Sequence, residues 1–194
     1  MRTTREIVFF VSTLLSTSLM ADEILIIDDR QRGDMKATIG THWRAMTDDV
    51  MGGITQASLR LASKDGNDCL RLQGDVRLEN NGGFAQATLD LAGTQASDAS
   101  AYQGLELLVH GNGEEYNVHL RTEDVWLPWQ SYRASFHAPA RWQSIKLPFT
   151  DFTGYRISKK LDLQQLTRIG LVAIGREFTA DLCIARLAYY KEND

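Results

Sequence analysis

From Ile54 to Tyr190 the sequence is cut into strand-length pieces, and no stretch sustains the apolar spacing of a long helix. Turn signals make the cuts: Gly52-Gly53, Asn80-Asn81-Gly82-Gly83, Asn112-Gly113 and Pro148. The strand-like runs are Ile24 to Ile27, Ile54 to Leu61, Leu70 to Leu78, Phe84 to Leu91, Leu105 to Leu120 with a break, Tyr132 to His137, Trp142 to Leu147, Ile169 to Ile174 and Phe178 to Tyr190. With shorter pieces between them this makes about ten or eleven strands and very little helix, the pattern of an all-β, jelly-roll-like antiparallel β-sandwich. Ile169 to Ile174 is nearly all apolar, as a buried central strand is. Leu161 to Leu166 is expected to form one helical turn, with Asp162 as its cap. Residues 92–103 are expected to be a tolerant surface loop.

The strongest local signal is a hairpin over Leu105 to Leu120, because Asn112-Gly113 suits the central positions of a type I′ turn. That register sets Val109 opposite Tyr116, Leu107 opposite Val118 and Leu105 opposite Leu120, all on one face. The other face would pair Glu106 with His119 and His110 with Glu115. His110 and His119 would then stand roughly 13 Å apart, too far to share one metal ion. His42 and His137 have no ligand-type spacing, so neither a metal nor a cofactor is expected.

The first 21 residues are of another kind. Arg2 and Arg5 lead, Ile7 to Leu15 is apolar apart from Ser12 and Thr13, and small residues end in Leu19-Met20-Ala21. This reads as a secretory signal peptide over residues 1–21, cut near Ala21, with one β-sandwich domain over 22–194. The apolar run is too short to span a bilayer, so the mature chain has no integral membrane segment. A periplasmic or secreted location follows. Export would permit a disulfide between Cys69 and Cys183, although each lies in a strand-like run where a free cysteine packs as a small hydrophobe. The net charge of −4 and the absence of a basic cluster argue against nucleic acid.

One stretch departs from strand patterning: Arg121-Thr122-Glu123-Asp124-Val125-Trp126-Leu127-Pro128-Trp129-Gln130-Ser131-Tyr132-Arg133. Aromatics beside hydrogen-bonding groups suit a ligand or partner surface. A second candidate is Trp43 with Asp48, Asp49 and Met51. There the two carboxylates either hold a metal or ligand hydroxyl, or cap a turn before Gly52-Gly53; no further carboxylates lie at ion-loop spacing, which favours the cap. Glu123 and Asp124 are neighbours on a strand and point to opposite faces, so they do not make a glycosidase pair. No nucleophile elbow, phosphate loop or dinucleotide fingerprint is present, and no catalytic residue is assigned.

Trp43, Asp48-Asp49-Val50-Met51-Gly52-Gly53, Asn81-Gly82-Gly83-Phe84, Gly104-Leu105, Tyr116, Arg121-Thr122, Trp129-Gln130-Ser131-Tyr132-Arg133, Trp142, Leu147-Pro148-Phe149, Phe152, Ile169-Gly170 and Phe178 together resemble the complex I intermediate-associated protein family. The resemblance covers about residues 24–190. It implies a galactose-binding-like sandwich, akin to carbohydrate-binding modules. It also implies a non-enzymatic role, since mitochondrial members are assembly factors for respiratory complex I. Thr88 stands where members often carry an arginine, and an exported chain would not meet the matrix arm of complex I. The expected role is therefore binding, to a protein partner or alternatively to a carbohydrate or other small ligand. The expected face combines Trp43, Asp48, Asp49 and Met51 with Arg121, Trp126, Trp129, Gln130, Tyr132 and Arg133.

Overall fold

The computed structural model describes residues 24–192. The leader reading of residues 1–21 lies outside them. Twelve strands form: β1 Leu25–Asp28, β2 Arg44–Thr47, β3 Gln56–Lys64, β4 Asn67–Val76, β5 Phe84–Asp90, β6 Gly104–His110, β7 Glu114–Thr122, β8 Ser131–Ala138, β9 Gln143–Pro148, β10 Thr153–Tyr155, β11 Leu166–Ile174 and β12 Phe178–Tyr190. They build two antiparallel six-stranded sheets. The first runs β3-β4-β12-β6-β9, with β1 also paired to β12; the second runs β10-β8-β7-β11-β5-β2. Helix is confined to short 3-10 turns, and among the described residues no helix is long and apolar enough to cross a membrane. The expected all-β sandwich is what forms.

Alternation explains most of the layers. In β7, Tyr116, Val118 and Leu120 point inward and are fully buried; in β6, Leu105, Leu107 and Val109 do the same. β11 is the buried strand its composition announces, lying between β7 and β5. β12 is the corresponding strand of the first sheet, and Leu182, Ile184 and Leu187 pack inward across a bulge between Ile184 and Arg186. The strands that escape notice in the sequence, β2 and β10, are short edge strands with little buried surface.

The hairpin is a correction. β6 and β7 belong to different sheets, so the residues expected side by side face one another across the core. Leu105 and Leu107 pair with Leu147 and Ile145, while Tyr116 pairs with Phe136. The cause lies in the turn. Gly111 and Gly113 donate their N–H groups to the carbonyls of Pro139 and Ala138, not across a two-residue loop. The Asn112 amide donates to the carbonyl of Thr179 (2.8 Å) and accepts from the Tyr116 hydroxyl (2.8 Å), which ties the crossover to β12. The charge pairs inferred from the hairpin fail with it. Glu106 accepts from Ser144 (2.6 Å), and His110 faces Asp65 (3.4 Å).

Three smaller expectations also resolve. Asp162 caps a turn through the Gln164 N–H (2.9 Å), and no helix follows. Residues 92–103 are not a free loop: Ala96 and Ala99 are fully buried, and the Tyr189 hydroxyl donates to the Ala96 carbonyl (2.8 Å). Cys69 of β4 and Cys183 of β12 form a disulfide on the outer face of the first sheet, beside Trp142 and Leu108.

Candidate functional site

The loop between β7 and β8 is built from below. Val125 is buried, and the guanidinium of Arg121 donates to four loop carbonyls: Val125 (3.3 Å), Leu127 (3.3 Å), Pro128 (3.0 Å) and Gln130 (3.0 Å). A planar fork with five donors suits this clustering of carbonyls. The Gln130 side chain accepts from the Leu127 N–H (3.1 Å) and donates to the Arg156 carbonyl (2.9 Å). Tyr132 is buried beneath, with its hydroxyl 3.1 Å from the carbonyls of both Lys159 and Lys160. Lys159 meets the Asp124 carboxylate at 2.5 Å. A loop fixed at so many points displays its two indoles outward: Trp126 is 85% exposed and Trp129 48%.

Those indoles overlook the outer face of the second sheet. Register places Arg133, His119, Gly170, Thr88 and Arg44 in one row across β8, β7, β11, β5 and β2. The next row carries Asn117, Val172, Gln86 and Met46. Together with the loop they enclose a cleft of about 290 Å3, lined by Met46, Gln86, His119, Arg121, Trp126, Trp129, Arg133 and Arg168 among others. Gly170 makes the floor possible, since a Cβ there would overlap the Gln86 amide that lies across it.

Two polar atoms of that row have no hydrogen-bond partner: Nε2 of His119, which lines the cleft, and Oγ1 of Thr88, fully buried on the far side of Gly170. Unpaired buried polar atoms are uncommon and cost free energy. Burial, reinforced by the nearby Arg133 charge, pushes the His119 imidazole down to about 3, so it is neutral at physiological pH. Burial and the neighbouring Arg168 also depress Arg121. Arg44 and Arg168 converge on Asp90 at 2.6 and 2.8 Å. Burial alone would raise the Asp90 carboxyl, but the two arginine hydrogen bonds outweigh it and hold it low. The Arg133 guanidinium lies 3.6 Å over the Tyr155 ring, and its Nε donates to Ser131 Oγ (2.9 Å).

The ten residues singled out in the sequence divide into three groups. Trp126, Trp129 and Arg133 line the cleft, the two indoles exposed and Arg133 partly buried. Arg121 and Gln130 also line it, but their polar atoms organise the loop, and Tyr132 supports it from inside. Trp43 is buried, its indole N–H donating to Asp28 Oδ2 (2.7 Å). Asp48 is fully buried as well: it accepts from the N–H groups of Thr55 (2.9 Å) and Gly83 (2.5 Å) and from the Thr55 hydroxyl. Cβ atoms at Gly53 or Gly82 would overlap its carboxylate, so both glycine pairs close on this one side chain. The expected turn cap is instead a bridge between the two glycine turns, since the 3-10 turn that Asp48 begins carries no side-chain cap bond. Asp49 accepts from the Thr47 hydroxyl (2.6 Å), and Met51 is exposed on the same 3-10 turn; neither lines the cleft. From that segment only Met46 reaches it.

Sequence reasoning missed Met46, Gln86, His119, Arg168 and the floor residues Thr88 and Gly170. The signal was present as outward positions in alternating strands, with Gln86 and Thr88 set between the buried Ala85, Ala87 and Leu89. What was hidden was the pairing of β7, β11 and β5, which only the sheet order supplies.

Solved structures with the same fold include carbohydrate-binding modules. A family 11 module from Clostridium thermocellum, in complex with a β-1,3-1,4-mixed-linked tetrasaccharide, aligns with TM-score 0.69 at 12% identity, over 88% of this chain and 97% of that one. A family 30 module of a cellulosomal cellulase of the same organism aligns with TM-score 0.59 at 15% identity, over 89% and 99%. An exo-beta-agarase aligns with TM-score 0.57 at 13% identity, over 88% of this chain but 25% of that one. At such identities the likeness is one of fold. No curated protein sequence matches the chain. The family model for Complex I intermediate-associated protein 30 matches residues 28–184, most of the strands and the whole of the cleft, and the chain belongs to that family.

Proposed function

We propose that this protein is a non-catalytic binding module that takes a saccharide in the cleft over the second sheet. The observation that carries the reading is the pair Trp126 and Trp129, held in the open by a loop tied down through Arg121 and Gln130. An indole exposed at this cost in solvation suits stacking on the apolar face of a pyranose. His119 Nε2, unpartnered on the floor, suits a ring hydroxyl. The mixed-linked tetrasaccharide bound by the family 11 module supports the same class of ligand. We further propose that the protein acts outside the cytoplasm, in the periplasm or secreted, after removal of residues 1–21; the Cys69–Cys183 disulfide favours an oxidising compartment.

A glycan array followed by titration calorimetry tests the reading. Binding to at least one oligosaccharide, lost in the Trp126→Ala Trp129→Ala variant, is expected. An empty array, or affinity unchanged in the variant, would overturn it. Sequencing the mature N-terminus from fractionated cells tests export, with a start near Asp22 in the envelope fraction expected.

A second reading, attachment to a protein partner, is favoured by a different observation. Val50, Met51, Ile54 and Leu78 are exposed on the turns that close around Asp48, away from the cleft. Crosslinking before a tagged pull-down, repeated with Met51→Asp, distinguishes it: a captured partner lost in the variant supports this surface, and recovery as a lone monomer counts against it.

A further inference from the structure

The cleft is cationic in a chain that is acidic overall. Arg121, Arg133 and Arg168 line it, Arg44 stands at the end of the row that carries His119 and Gly170, and no aspartate or glutamate is among its lining residues. Asp90 lies one row away and is shared by Arg44 and Arg168, so one negative charge faces two positive ones there. Among the described residues no carboxylate is bonded to Arg133 or Arg121; their partners are carbonyls, the Ser131 hydroxyl and the face of Tyr155. The whole chain, by contrast, carries a net charge of −4. Cations in excess of their counter-charges in a partly enclosed cleft raise the local concentration of anions and strengthen their binding.

Building on the saccharide reading, we propose that the cleft selects an acidic saccharide, with a uronate carboxylate against Arg133 and Arg168 while a pyranose face stacks on Trp126 or Trp129. Of the stacked Arg133 guanidinium, Nε is held by the Ser131 hydroxyl and one terminal nitrogen by the Trp129 carbonyl, which leaves the other terminal nitrogen to meet a carboxylate. His119 between them is neutral and adds no competing counter-charge, while its unpartnered Nε2 accepts or donates to a ring hydroxyl.

The test is calorimetric titration of the intact protein at low ionic strength. The probes are tetragalacturonate and tetramannuronate, the methyl ester of each, the mixed-linked tetraglucoside and tetraglutamate. The expected result is that one uronate binds at least about tenfold more tightly than its own methyl ester, with the preference shrinking as salt rises from about 50 to about 500 mM. Arg133→Gln should cut uronate affinity by about tenfold or more and ester affinity by clearly less, so that the preference for acid over ester shrinks; because this arginine also packs on Tyr155, near-ultraviolet dichroism checks that the variant is folded. Equal binding of acid and ester, or binding of the tetraglucoside alone, overturns the acidic preference and leaves the saccharide reading standing. Tetraglutamate binding as well as the uronates overturns it in favour of an acidic peptide. No binding of any probe overturns the preference, and the array then decides the saccharide reading independently.

Discussion

The two outer faces of the sandwich are finished differently. On the first sheet, polar side chains meet one another: Arg71 grips Asp181 with two bonds of 2.7 and 2.6 Å, Thr179 donates to Asp75 (2.7 Å), Arg60 to Gln73 (3.1 Å), and Glu106 is shared by Ser144 and Arg186. The disulfide crosses the same face. On the second sheet, His119 and Thr88 keep unpaired buried atoms, arginines outnumber carboxylates and two indoles stand in solvent. A fold selected only for stability would complete both faces alike. Unpaired polar atoms beside exposed indoles and excess arginines are the features on which the proposed binding face rests.

The sharpest way to break this comparison is to damage the closed face. Cys69→Ala Cys183→Ala removes a crosslink spanning 114 residues and should cost about 2–5 kcal/mol in chemical denaturation while leaving ligand affinity intact. If affinity falls in parallel, the two faces are not independent.

Acid separates the faces next. The folded-state value of His119, about 3, lies below the ordinary 6.5, so the unfolded chain takes up this proton first. Stability is whole above pH 6.5 and declines as pH falls from there toward 3, at on the order of 1.4 kcal/mol per pH unit for one proton. His119→Gln should flatten denaturation midpoints between pH 7 and pH 5. On the other face the Arg71 hydrogen bonds hold Asp181 below the usual carboxylate value of 3.8. Its contribution is present above 3.8 and lost below it, so Asp181→Asn should leave the slope between pH 7 and pH 5 unchanged.

A smaller effect concerns the rim. Trp126→Ala Trp129→Ala should lower saccharide affinity at least about tenfold, about 1.4 kcal/mol, and change folding stability by no more than about 0.5 kcal/mol. The finest contrast uses two threonines. Thr88→Val removes a buried hydroxyl without a partner and should be neutral or stabilise by up to about 1 kcal/mol. Thr179→Val breaks the bond to Asp75 and should cost about 0.5 kcal/mol. Equal effects would erase the distinction.

Local patterning carries much of this molecule. Alternation finds β5, β7 and β8, unbroken hydrophobicity finds β11, and the density of aromatic and polar groups finds the loop above the cleft. It could not reveal which strands pair. Asn112-Gly113 has the composition of a hairpin turn, yet the Asn112 side chain bonds to Thr179 and Tyr116, residues remote from the turn's own strands in one case and within them in the other. The inward faces of β6 and β7 were right because burial depends on alternation; the neighbours were wrong because pairing depends on the whole sheet. The cleft floor was illegible for the same reason, since His119, Gly170 and Thr88 meet only through non-local pairing.

The position of β12 governs how the chain can assemble. It comes after the other eleven described strands in chain order, yet the first sheet is arranged around it, with β1 and β4 on one side and β6 on the other. Until residues 178–190 have emerged, β4 and β6 each lack the partner that fills the edge between them. Contacts this distant in sequence slow folding and prolong exposure of unpaired strands. Unpaired edges of this kind invite pairing between copies until β12 is in place, and loss of residues 178–190 would remove the centre of a sheet and not merely its end.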